Sequence, residues 1–128
     1  MTAEEARFAD VVILRVAGRV DQETSLGLQE ALQRVIEGIG APSLVGLVID
    51  FSRVPYISSA GLRALMVGAK QCKARGGKIA LAALQPVVRE VFQISRFDKV
   101  IATFESLPDA HGSMSQAAVV AFRAGPAR

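Results

Sequence analysis

Tryptophan is absent from this 128-residue chain, and tyrosine, histidine and cysteine occur once each. The lone Cys72 excludes an internal disulfide and suits a reducing compartment. It falls within a helical pattern, where a free cysteine packs as a small hydrophobe or sits at a partly exposed edge. The lone His111 leaves no second histidine, cysteine pair or HExxH spacing to hold a metal. It stands in a polar stretch beside Gly112 and reads as a solvent-exposed loop residue. No segment approaches the ~18–20 apolar residues that a membrane-spanning helix needs. Residues 1–10 carry Glu4, Glu5 and Asp10 without an apolar run, so no signal peptide is read there. A cytoplasmic protein is the default expectation.

Acids are missing from residues 51–89, which carry Arg53, Arg63, Lys70, Lys73, Arg75, Lys78 and Arg89. A basic bias can mark nucleic-acid binding. Here only Phe51 and Tyr56 interleave as aromatics and no nucleic-acid motif is present, so direct nucleic-acid binding is not expected. A solvated helix face that meets an acidic partner or a phosphate fits better. The basic residues Arg63, Lys70 and Lys73 either extend a docking surface or simply solvate the outer face.

Enough apolar sequence is present, 51% of residues, for one domain over 1–128 with a core from about 8 to 122. Asp10–Ala17 is rich in β-branched residues and ends at Gly18, a strand followed by a turn. Leu28, Ala31, Leu32, Val35, Ile36 and Ile39 have core-facing helical spacing. Asp21 and Thr24 signal the start of that helix; Gly38, Gly40 and Pro42 signal its end. Leu44–Phe51 is a nearly continuous apolar strand of the kind covered on both faces. Leu62, Leu65, Met66 and Ala69 repeat the helical spacing until Gly76-Gly77. Lys78–Leu84 is a third strand, Pro86 opens a further helix, and Val100–Phe104 is a short strand. Residues 106–114 read as a polar loop, Gln116–Phe122 as a terminal helix, and the last few residues as frayed. This alternation predicts α/β layering with parallel neighbours and right-handed crossovers.

Catalytic sets are missing as well. No GxSxG elbow surrounds a serine, and His111 is the only available base for a Ser–His–acid arrangement. Gly76-Gly77-Lys78 matches the end of a phosphate-binding loop, but the earlier glycine position is Cys72 and a strand follows. Gly38-Ile39-Gly40 lacks the third glycine of a dinucleotide fingerprint. An enzyme is not expected, and neither catalytic residue, metal nor cofactor is assigned; a hydrolase acting through Ser59 is the reading from another class.

What remains is the segment VIDFSRVPYISSAGLRALM, residues 48–66. It reads as a buried strand, a turn, and two serines opening an amphipathic helix. If the helix begins near Ser58, then Ser59 and Ala60 lie in the first turn, whose N–H groups lack intrahelical acceptors. A capping serine is the default on position alone. The two roles are compatible: Ser58 can cap while Ser59 faces outward. A phosphate on Ser59 would add about −1.5 to −2 charge, which a helix N-terminus tolerates, with Arg53 or Arg63 to help. Gly61 presents no side chain and lets another backbone approach.

This segment resembles the signature of STAS domains, the anti-sigma factor antagonist family, in which an apolar strand ending in Asp leads to a serine-containing helix start and Gly-Leu. The resemblance covers about residues 8–122. It includes Gly18-Arg19-Val20-Asp21, the Gly-Gly before the third strand, and a V-x-x-V-F helix followed by Phe97-Asp98-Lys99-Val100. It implies a STAS-like α/β fold, a single mostly parallel sheet with helices packed mainly on one face. The family's phosphorylated serine maps onto Ser59, with Ser58 as second choice; the residue before it, often Asp in that family, is Ser58 here. Asp21 matches a family acid near the phosphorylation site, with Thr24 one helical step later. Ser58, Ala60, Gly61, Leu62 and Arg63 complete the implied partner-binding set. The implied function is partner switching. The antagonist binds an anti-sigma factor that is also an ATP-dependent serine kinase and so frees a sigma factor. Phosphorylation separates the complex and a serine phosphatase resets it. The alternative keeps the fold and drops phosphorylation, making the domain a structural or sensory subunit of a lipid-transport or stress-signalling assembly.

Overall fold

The computed structural model describes residues 1–39 and 44–124. Gly40 and Pro42, expected to end the first helix, and the tail from residue 125 lie outside the described residues. In chain order the elements are β1 (Thr2–Phe8), β2 (Val11–Ala17), α1 (Ser25–Ile36), β3 (Gly46–Arg53), α2 (Ser59–Ala74), β4 (Lys78–Ala82) and α3 (Pro86–Ile94). A 3₁₀ turn (Phe97–Lys99), β5 (Ala102–Phe104), α4 (Leu107–Gly112) and α5 (Gln116–Ala124) follow.

The strands form one sheet in the order β1-β2-β3-β4-β5, with β1 antiparallel to β2 and every later pair parallel. From β2 to β5 the order never reverses, so right-handed crossovers place each connecting helix on the same side. Hence α1, α2 and α3 share one face. Alternation along the strands sorts the apolar residues accordingly. Val12, Leu14 and Val16, Leu47, Ile49 and Phe51, and Ile79 and Leu81 point into the main core with Leu28, Leu32, Leu65, Cys72 and Phe92. Val11, Ile13, Val48, Ala80 and Ala82 point the other way, into a second cluster with Phe8, Ala110, Met114 and Ala118. That cluster is closed by α4 and α5. Cys72 is fully buried, its Sγ donating to the Lys78 carbonyl at 3.5 Å, and burial raises its thiol pKa.

Two elements escape the sequence reading. β1 runs Thr2 to Phe8 as a full seven-residue partner of β2, although only Phe8 is buried. The stretch 106–114 is not a polar loop: Ser106 Oγ caps α4 by accepting from Asp109 N at 3.2 Å. His111 is accordingly not solvent-exposed but fully buried, because α4 turns its Ala110 and His111 against the sheet. Among the described residues no helix is long and apolar enough to cross a membrane.

Candidate functional site

Two loops meet at the C-terminal end of the parallel strands, the edge where open α/β sheets place their sites. One leaves β2 and the other leaves β3. Gly18, at φ +96°, turns the first loop so that its N–H donates to the Arg53 carbonyl at 2.9 Å. Val20 and Ile57 then form a one-residue parallel bridge: Val20 N donates to Tyr56 O at 3.0 Å and Ser58 N to Val20 O at 2.8 Å. The serine turn is therefore stitched, backbone to backbone, onto the loop that carries Asp21.

That loop is locked from within. Asp21 Oδ1 accepts from Glu23 N at 3.0 Å and Thr24 N at 3.1 Å, while Thr24 Oγ1 accepts from Asp21 N at 2.9 Å. Thr24 stands at the start of α1 but makes no side-chain cap; the Asp21 carboxylate instead ties the turn that leads into the helix, and the Asp21 carbonyl accepts from Ser25 N at 2.9 Å. The Thr24 N–H, foremost among the causes, holds the Asp21 carboxyl below its ordinary value, with the Thr24 hydroxyl, Glu23 N–H and Arg19 helping and burial opposing. Asp21 Oδ2 lies 3.9 Å from Arg19 Nε, and the Arg19 guanidinium stacks 4.3 Å from the Tyr56 ring centre. This Asp21–Arg19–Tyr56 clasp joins the two loops through side chains. Sequence reasoning missed Arg19 and Tyr56 as site residues, although both lie in segments it singled out.

Ser58 is extended (φ −91°, ψ 173°), and its Oγ accepts from Gly61 N at 3.2 Å, an N-cap as expected. Ser59 opens the 16-residue α2 and is exposed. Its own N–H and that of Ala60 fall in the first turn, where the helix provides no acceptor. Gly61 is buried: a Cβ there would stand 2.7 Å from Val20 Cγ1 and 2.8 Å from Ile57 Cγ1. The room left by the missing side chain is thus filled by the chain's own bridge residues. Leu62 is half-buried against the main core, while Arg63 is exposed one turn beyond Ser59.

Of the basic residues around α2, Lys73 donates to the Val100 carbonyl at 2.9 Å and Arg75 to the Glu37 carbonyl at 3.1 Å, bracing neighbouring segments. Arg53, Arg63 and Lys70 are exposed and make no ion pair among the described residues. Arg53 before the serine turn and Arg63 one turn along α2 thus flank Ser59 in sequence as exposed cations. His111 lies on the opposite face of the sheet from α2, among the second-face cluster. No group of His, Cys, Asp or Glu among the described residues is arranged to hold a metal. A cleft of about 420 Å³ opens beside Glu4, Arg15, Asp50 and Ser52, also on the far face. Its buried Asp50 is occupied locally, accepting from Ser52 N at 2.9 Å and facing Arg15 Nε at 3.9 Å.

A STAS domain model matches residues 3–110. A putative anti-sigma factor antagonist, BtrV of Bordetella bronchiseptica, is 51% identical over 51 residues, 40% of this chain and 44% of that protein. The chain thus spans less than half the length of that relative in the match. Anti-sigma-F factor antagonist RsfB of Mycobacterium tuberculosis is 29% identical over 110 residues, 86% of each chain. The crystal structure of an anti-sigma factor antagonist from Mycobacterium paratuberculosis superposes with a TM-score of 0.77 at 25% identity, covering 88% of this chain and 92% of that one.

Proposed function

The chain belongs to the STAS domain family, and from that premise we propose that it is a cytoplasmic anti-sigma factor antagonist switched by phosphorylation of Ser59. One observation carries the reading. Ser58 takes the capping duty on Gly61 N, so the neighbouring Ser59 stands exposed at the head of α2 with no structural task of its own. The likeness to RsfB and BtrV, both named as antagonists of anti-sigma factors, supports the partner class.

In the unphosphorylated state the anti-sigma factor, itself an ATP-dependent serine kinase, docks over the Asp21 loop and the start of α2. Asp21 and Thr24 hold the loop in the docking shape; Ala60, Leu62 and Arg63 supply contact surface, and Gly61 keeps the helix seated against Val20 and Ile57. Docking releases the sigma factor. The kinase then transfers the γ-phosphoryl of its ATP to Ser59 Oγ; the hydroxyl proton leaves to a base of the kinase, and ADP departs.

The dianion remains where the fold tolerates it, beside the free first-turn N–H groups of Ser59 and Ala60 and one turn from Arg63. Folding survives. The partner, by contrast, meets new bulk and charge at its contact surface, and separates. A serine phosphatase restores the hydroxyl. The antagonist acts as substrate and ligand; the chemistry belongs to the kinase.

Incubation with the cognate kinase and ATP, followed by peptide mapping in a mass spectrometer, tests this. Modification on Ser59 that vanishes in Ser59→Ala is the expected result. Modification that persists in Ser59→Ala and vanishes in Ser58→Ala would move the switch by one residue.

A further inference from the structure

The second face of the sheet holds an imidazole with no acceptor for an added proton. His111 is fully buried and neither ring nitrogen has a hydrogen-bond partner. Its ring stacks on Phe122 of α5, centres 4.8 Å apart at 29°, and meets Phe8 of β1 edge to face at 5.6 Å. Phe8 and Phe122 touch each other at 5.1 Å, so the imidazole joins a closed aromatic trio between sheet and helices. A neutral ring fits such a cage. An imidazolium there would bury a charge with both N–H groups unpaired, and the stacked Phe122 face compensates only a small part.

The charged groups on this side offer no rescue. Arg15 of β2 is a cation and repels a second one; burial first, then Arg15, push the imidazole pKa below the ordinary 6.5. Asp50 of β3 is engaged with Ser52 and Arg15. Glu4 of β1 stands opposite Arg15 and is exposed. Lys78 of β4 donates to the Met114 carbonyl at 3.4 Å. Asp109 of α4, Arg123 of α5 and Glu105, which follows β5, are exposed. Asp10, in the turn between β1 and β2, accepts from Ser115 Oγ at 2.6 Å.

We propose that α4 and α5 form an acid-released cover over the second sheet face, with protonation of His111 as the trigger. The two apolar clusters share no residue, so the cover can lift while α1–α3 stay packed. The Asp10–Ser115 and Lys78–Met114 hydrogen bonds sit at the joint between the two helices and act as its hinge. Lifting exposes Phe8, Val11, Ile13, Val48, Ala80 and Ala82. The match to the STAS domain model stops at residue 110, so His111 and α5 lie beyond it. This device is independent of Ser59.

The sign follows from linkage. The closed state binds the His111 proton more weakly than the released state, so closure is fully favoured above 6.5. Below that value it weakens about tenfold per pH unit until the closed-state pKa is reached. Amide hydrogen exchange measured near pH 8 and near pH 5, corrected for intrinsic rates, reads this directly. Protection of α4 and α5 is expected to fall, by up to about thirtyfold, while that of α2 holds, and the fall is expected to disappear in His111→Phe and to remain in Asp10→Asn. Unchanged protection, or the same fall in His111→Phe, overturns the proposal. Should that variant not fold, wild type decides, because its one histidine gives a single imidazole NMR titration. A midpoint below 6.5 that coincides with loss of α4–α5 protection supports the trigger. A midpoint at or above 6.5, or titration without loss of protection, removes it.

Discussion

The serine edge and the far face of the sheet handle polar groups in opposite ways. At the serine edge hydrogen bonds are many, and what is left over faces solvent. Asp21, Thr24, Ser58 and the Val20–Ile57 bridge satisfy one another, and Ser59 is exposed. On the far face the apolar packing is closed around one ring whose two nitrogens have no partner. A charge added at the first region is met by free N–H groups and water. A charge added at the second has no hydrogen-bond partner at either ring nitrogen. Two neighbouring parts of one small domain thus differ in whether a change of state leaves the fold alone or disturbs it.

Ser59→Asp is the strongest way to sharpen that contrast. It should weaken binding of the kinase partner by about 3 kcal/mol, roughly a hundredfold, while leaving folding stability within about 0.5 kcal/mol. Calorimetric titration and urea unfolding read the two numbers, and equal affinity for both proteins would remove the switch. Gly61→Ala attacks the packing beneath the site. Its Cβ collides with Val20 and Ile57, and overpacking there should cost about 1–3 kcal/mol by urea unfolding, despite the better helix propensity of alanine. A neutral result would mean that the bridge between the loops yields easily.

Ser58→Ala deletes the cap and should cost about 1 kcal/mol without abolishing modification of Ser59. Loss of phosphorylation in a folded Ser58→Ala would instead give Ser58 a part in the chemistry. The smallest effect is expected at Asp21. Its carboxyl pKa is lowered in the folded state, so its contribution is present above 3.8 and is lost as pH falls below that value. Asp21→Asn should flatten stability against pH only in that acid range and leave the range just below 6.5, assigned to His111, untouched. An altered profile near 6.5 in this variant would show that the two regions are coupled.

How much of this could be read in the sequence depends on how local the cause is. Helices α1, α2 and α3 and strands β2 to β4 carry their periodicity in consecutive residues, and the serine pair with its cap was legible for the same reason. β1 was not. Thr2-Ala3-Glu4-Glu5-Ala6-Arg7-Phe8 has little apolar alternation, and pairing with β2 makes it a strand. The Arg19–Tyr56 clasp was invisible because it depends on two loops meeting in space. His111 was misplaced by its polar neighbours Asp109, Gly112 and Ser113. A signal did exist: Ala110, Met114, Ala118 and Phe122 recur every four residues through what was read as loop and helix, and all four belong to the second-face cluster.

The outermost strand has one further consequence. Its sequence places Glu4, Glu5 and Arg7, all exposed, along the rim where another chain's strand would have to add, and the opposite rim, β5, is only three residues long. Lateral growth of the sheet from copy to copy is discouraged at both margins. Under the partner exchange we propose, resistance to sticking edgewise to itself would keep the pool available for the next exchange.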